Sequence, residues 1–320
     1  MALSQLMGNA LQQQTLAPAI SATAGQRRVA AAFICLVLAA VAMGISPIFV
    51  RLADVGPYAS AFWRTFLALP LVWAWAHIEE RRGRVPTGFE RSALIAGLLF
   101  AADLFFWHLA IVNTTVANAT FLATMAPIWV ALAAWMLAAE TVGARSLAGL
   151  ALCLVGGAAL LGQSYGFAPQ RVWGDVLGIV TSVFFGTYML AVRVARRRHG
   201  AGRLLFFTTA VTAPCLFVVA FLLEPRLLPQ SMGGWAALVA LAVIAHVGGQ
   251  GLATVALGTL PATFSSLVIF IEAIAAAVAG WVILGEALGV MQALGGVLIL
   301  FGIWVARPRS GAPATGAAGP

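Results

Sequence analysis

The sequence predicts an all-α integral membrane protein: ten transmembrane helices arranged as two inverted five-helix repeats. Three observations carry this expectation. Of 320 residues, 62% are hydrophobic and only 9% charged, with a mean hydropathy of +0.99. A water-soluble chain is nearer half apolar and a quarter charged, so this one lacks the polar residues to cover itself in water. The arginines gather in short segments between long apolar runs, and glutamates and glycines recur at one spacing in the two halves.

A helix needs about 20 apolar residues to cross the hydrocarbon layer. Strands with open edges would leave backbone groups unpaired in lipid, so the spans are helices. Apolar runs at 29–50, 58–78, 92–112, 115–138, 146–163, 174–194, 204–223, 234–257, 262–283 and 287–306 mark the ten candidates. The domain boundaries follow: a mobile tail over 1–28, a first repeat over 29–163, a second over 174–306, and a mobile tail over 307–320. Residues 1–26 carry no charge ahead of an apolar run, unlike a secretory leader with its basic start. Cys35, Cys153 and Cys215 all lie in apolar stretches and form neither a disulfide framework nor a metal site.

Arginine placement sets the orientation. With both termini inside, the inner segments hold Arg27, Arg28, Arg81, Arg82, Arg84, Arg91, Arg145, Arg193, Arg196, Arg197, Arg198, Arg203, Arg307 and Arg309. The outer segments hold Arg51, Arg171 and Arg226, and Arg64 falls inside a span. Basic residues accumulate on the cytoplasmic side, so this asymmetry places both ends there. The cluster from Arg193 to Arg203 reads first as a topology anchor, and secondly as an attraction for anionic lipid or substrate.

The repeat appears as an offset. Glu140, Gly143, Gly149 and Gly156 correspond to Glu286, Gly289, Gly295 and Gly302, each 146 residues on. Gly44 and Arg51 correspond to Gly186 and Arg193 at 142. Five helices is an odd number, so a duplicated unit must sit upside down relative to its twin, as in many secondary transporters. Gly149 and Gly156, like Gly295 and Gly302, share a helix face, where small residues let backbones approach closely in lipid. Glu140 and Glu286 read as turn and capping residues.

Together these features resemble the drug/metabolite transporter superfamily, in particular its EamA-type ten-helix bacterial branch. The segments that carry the likeness are "TTVANATFLATMAPIWVAL" with "AAETVGARSLAGLALCLVGG", and "TFSSLVIFIEAIAAAVAGWVILGEALGVMQALGGVLILFG". The resemblance implies a carrier in the bacterial inner membrane that exports or exchanges small organic metabolites, amino acids and their relatives among them. One departure stands out. The family often has Glu-Pro in its ninth helix; here the pair is Glu272-Ala273, while Pro127 stands in the matching first-half helix. Helix nine therefore lacks a proline to kink it.

A charge inside the membrane costs roughly 2.5–3.5 kcal/mol on insertion scales and so needs a reason. Arg64, Asp103, His246 and Glu272 each lie well inside a span. Asp103 and Trp107 are one turn apart on one face, with His108 rotated away; Asp103 either walls a cavity or pairs with Arg64. Glu272 is the stronger candidate for carrying a proton, the alternative being a hydrogen-bonded structural acid. His246 and Gln250, one turn apart, share a stretch weakened by Gly248, Gly249 and Gly251, which suits a bend or gate. These seven residues are the candidates for lining or supporting a substrate cavity.

The same sequence narrows the chemistry. Its basic residues are all arginine, so a Walker-type phosphate loop, which needs lysine, is absent. His-Glu-x-x-His and Cys-x-x-Cys are absent too. The expectation is a non-enzymatic carrier without cofactor or metal. Its partners are a small-molecule substrate, the lipid bilayer and, through Glu272 or Asp103, protons. Nucleic acid is not expected, because the arginines form no basic face with polar surroundings. Facilitated exchange without protons, a membrane-embedded enzyme and a homodimer stay open as alternatives.

Overall fold

The computed structural model describes residues 25–82, 91–114, 116–136, 142–161, 171–284 and 289–308. Most of both expected tails, together with Glu140 and Glu286, lies outside these residues. Regular structure among the described residues is helical throughout. Joining pieces separated by one or two residues gives α1 (Gly25–Leu52), α2 (57–81), α3 (Arg91–Asn113), α4 (116–136) and α5 (Ala144–Leu161). The second half continues with α6 (Val172–Ala195), α7 (Ala201–Leu223), α8 (Met232–Leu257), α9 (262–284) and α10 (Val290–Ala306). Residues 25–28, expected in the tail, belong to α1.

Seven segments, α1, α3, α4, α6, α7, α8 and α9, are long and apolar enough to cross a membrane by length and composition. Two shorter apolar helices, Ala144–Ala159 and Val290–Ala306, lie in α5 and α10. Large apolar side chains such as Trp135, Phe221, Leu222, Val282 and Val297 face outward. Such a surface suits lipid and would be costly in water. The chain is a multi-pass membrane protein.

Several helices are interrupted. In α1 the break falls at Ile45, with Pro47 in the first turn of the next piece, Ser46–Leu52. In α2 it lies between Pro57–Phe66 and Leu69–Arg81, and Pro70 opens the second piece. In α4 it lies between Val116–Ala123 and Ala126–Met136, before Pro127. Proline supplies no N–H and crowds the preceding turn, so each break has a local cause. Helix α9 also breaks, between Ala262–Val268 and Ile271–Leu284, although it has no proline there. Its chain tightens into three-residue turns, Phe270 N donating to Leu267 O at 3.1 Å and Ala273 N to Phe270 O at 3.1 Å. Helix α8 carries a π-helical stretch, Leu241–Gln250, over the glycine-weakened segment.

Contacts recur in pairs across the two halves. Gly44 lies against Glu272 O and Ala275 Cβ, and Gly186 against Ala126 O and Trp129 Cβ. The α5–α10 contact is antiparallel: a Cβ at Gly149 would come 2.6 Å from Gly302 O, and one at Gly156 would come 2.7 Å from Gly295 O. Between them Cys153 Sγ lies 3.6 Å from Ile299 O. Helices α2 and α7 pack together and cap each other. Glu224, at the end of α7, accepts from Tyr58 N at 2.5 Å and Ala59 N at 3.1 Å in the first turn of α2. Glu79, near the end of α2, accepts from Arg203 N at 3.2 Å in the first turn of α7. Neither helix start has a side-chain cap from its own N-cap residue, so each borrows a carboxylate from the other helix.

Candidate functional site

The helix breaks surround a cavity with about 40 Å³ of room for water-sized molecules. Its walls include Arg64, Asp103, Trp107, Gln250 and Glu272, five of the seven candidates. They come from α2, α3, α8 and α9, so four helices converge on one point.

Two of the charges sit at helix interruptions. Arg64 lies in the last turn of Pro57–Phe66, and Glu272 in the first turn of Ile271–Leu284. A helix C-terminus carries partial negative charge and an N-terminus partial positive, so each break favours the charge placed there. Arg64 is 4% exposed and Asp103 6%. Among the described residues Arg64 makes no ion pair within 4.0 Å, and its Nε has no hydrogen-bond partner. Arg64, Asp103 and Glu272 nevertheless line the same cavity. A contact pair gluing α2 to α3 is therefore not what joins Arg64 and Asp103. They face a shared space.

The two histidines stand behind this wall, both fully buried. His108 Nδ1 donates to Leu104 O at 2.7 Å. His246 Nε2 lies 2.8 Å from Thr209 Oγ1, and that hydroxyl itself donates to Leu205 O at 2.6 Å. With the hydroxyl proton so engaged, His246 Nε2 is the donor of the pair. The Phe100 ring, 5.6 Å away, covers the histidine. Gln250 Nε2 reaches Met43 Sδ at 3.3 Å.

Seven further lining residues were missed by sequence reasoning: Met43, Ser46, Leu104, Ala123, Thr124, Thr181 and Phe185. Ser46 follows Gly44 and precedes Pro47, a pattern that announces a helix break and so was available as a signal. Thr124 and Thr181 also bond to their own helices, Thr124 Oγ1 to Phe121 O and Thr181 Oγ1 to Leu177 O. A threonine that satisfies itself this way is indistinguishable in sequence from a packing residue. Thr120 and Ser265 are buried with hydroxyls lacking a partner among the described residues, and neither lines the cavity.

The model of the EamA-like transporter family matches residues 30–162 and again 172–307, nearly the whole described chain in two units. The chain belongs to the EamA-like transporter family. This EamA-like protein is 26% identical over 219 residues to the pseudopaline exporter CntI of Pseudomonas aeruginosa, covering 68% of this chain and 75% of that protein. It is 26% identical over 271 residues to an uncharacterized transporter of Archaeoglobus fulgidus, covering 85% and 94%. A protein of known crystal structure shares the fold with a TM-score of 0.73 at 21% identity, over 87% of this chain and 96% of its own.

Proposed function

We propose that this EamA-like protein is a secondary carrier of the bacterial inner membrane. It exports or exchanges a small organic metabolite, an amino acid or a relative, by alternating access. Ten crossing helices, with α1–α5 and α6–α10 as inverted halves and both termini cytoplasmic, frame the path. The paired contacts of Gly44 and Gly186, of the α5–α10 glycines and of the Glu79 and Glu224 caps support that arrangement. The export direction draws support from the relative named as an exporter.

The observation that carries the proposal is the cavity itself. One guanidinium and two carboxylates, with an indole and an amide, converge among broken helices, and each charge is expensive there unless it is used. Arg64 suits a substrate carboxylate, Asp103 an ammonium group, and Trp107 an apolar side chain. About 40 Å³ is far below the few hundred cubic ångströms of an ordinary ligand pocket, so loading requires the helices to part. Glu272 is the proposed proton carrier, with Asp103 as the alternative.

Purified protein in liposomes tests this. Amino-acid flux through wild type is expected to respond to an imposed pH gradient. Glu272→Gln is expected to keep exchange and lose that response. An unchanged response in Glu272→Gln removes Glu272 as the carrier, and a wild type indifferent to the gradient makes the protein a facilitated exchanger.

A further inference from the structure

A second and larger cavity, about 480 Å³, lies between the last turns of α2 and the turn joining α6 to α7. Trp75, Glu79 and Arg82 form one wall, and Arg196, Arg197 and Arg198 the other. Four arginines and a single residue with a carboxylate, Glu79, thus line it. That carboxylate is already engaged, since Glu79 caps Arg203 N. Arg82, Arg197 and Arg198 are exposed, whereas Arg196 is half-buried.

Arg196 directs its guanidinium at main-chain oxygens, Nε to Thr254 O at 3.0 Å and Nη1 to His199 O. Burial pushes it below the usual arginine value, and Glu79 only partly offsets this. The floor of the cavity is Gly200 and Ala201, where the 23-residue helix α7 begins. Gly200 brings no side-chain cap of its own, and the carboxylate that serves this helix start is Glu79.

From this we infer that the cavity is a binding site for a phosphate group, delivered by an anionic lipid headgroup or as a free phosphate. Arginine forks match phosphate oxygens, and Trp75 beside them is the residue type that sits at the level of lipid headgroups. Basic pockets between helices at the membrane surface are suited to such headgroups. A bound phosphate would bridge the end of α2 to the turn that leads into α7, and so hold the two helices in their present packing.

The test uses the full chain in a neutral detergent, with melting temperature and native mass spectrometry as readouts. The probes are phosphatidylglycerol, phosphatidylcholine and inorganic phosphate. Phosphatidylglycerol or inorganic phosphate is expected to bind and raise the melting temperature, and phosphatidylcholine is not. Arg197→Gln combined with Arg198→Gln, both at exposed positions, is expected to weaken binding about 30-fold. Arg82→Gln, on the opposite wall, should weaken it about fivefold, and it serves as an independent variant should the double one misfold. A response to phosphatidylglycerol alone assigns the site to lipid; a response to inorganic phosphate assigns it to the free anion as well. Equal effects of the two lipids, no effect of phosphatidylglycerol or phosphate, or variants that bind like wild type would overturn the inference.

Discussion

Arg64 and Glu272 sit at helix ends that oppose their charge in sign, and Asp103 shares their cavity without an ion pair to Arg64 among the described residues. The histidines work differently. His246 is held by Thr209 outside the cavity lining, so it supports the wall. Thr209→Val removes the acceptor of a buried N–H, which costs about 1–3 kcal/mol. The expected result is a lower melting temperature with the substrate KM unchanged; a large KM change with no loss of stability would make His246 a substrate contact. Asp103 and Trp107 were legible as a pair because a spacing of four residues puts them on one face, and the intramembrane charges were legible from their cost. The separation of His246 from the cavity was not, because it depends on Thr209 of another helix, 37 residues away in sequence.

At the level of elements, close approach is decided by glycine. Gly302 has Gly149 O 2.8 Å from where a Cβ would sit, and Gly149 has Gly302 O at 2.6 Å. Backbone atoms cannot rotate aside, so α5 and α10 must separate to admit any side chain. Gly302→Val is expected to lower stability by about 1–3 kcal/mol or more, read as melting temperature in detergent. Gly143→Val is the control, since nothing lies within 4 Å of a Cβ there. Equal melting temperatures for the two variants would contradict the packing described. The glycine spacing was visible in sequence because it repeats. The break in α9 was not, since no proline marks it: the chain turns tightly at 269–273 while Gly44 of α1 presses on the carbonyl of Glu272.

Across the whole molecule, the same contacts occur twice. Glutamates cap reciprocally at the two ends of the α2–α7 pair, and a glycine of α1 meets α9 as a glycine of α6 meets α4. The chemistry is not duplicated. Arg64 and Asp103 come from the first half and Glu272 from the second, and the position matching Glu272 at the 146-residue spacing is Ala126. The proposed carrier needs both features, a frame that rocks between two shapes and one asymmetric set of charges for the solute. Counterflow of radiolabelled amino acids into proteoliposomes tests this most directly. Saturable accumulation of a chemically unchanged solute, cut at least tenfold by Arg64→Ala in a variant that still folds, is the predicted result. Flux through folded Arg64→Ala at the wild-type rate, or a solute that emerges altered, would contradict it.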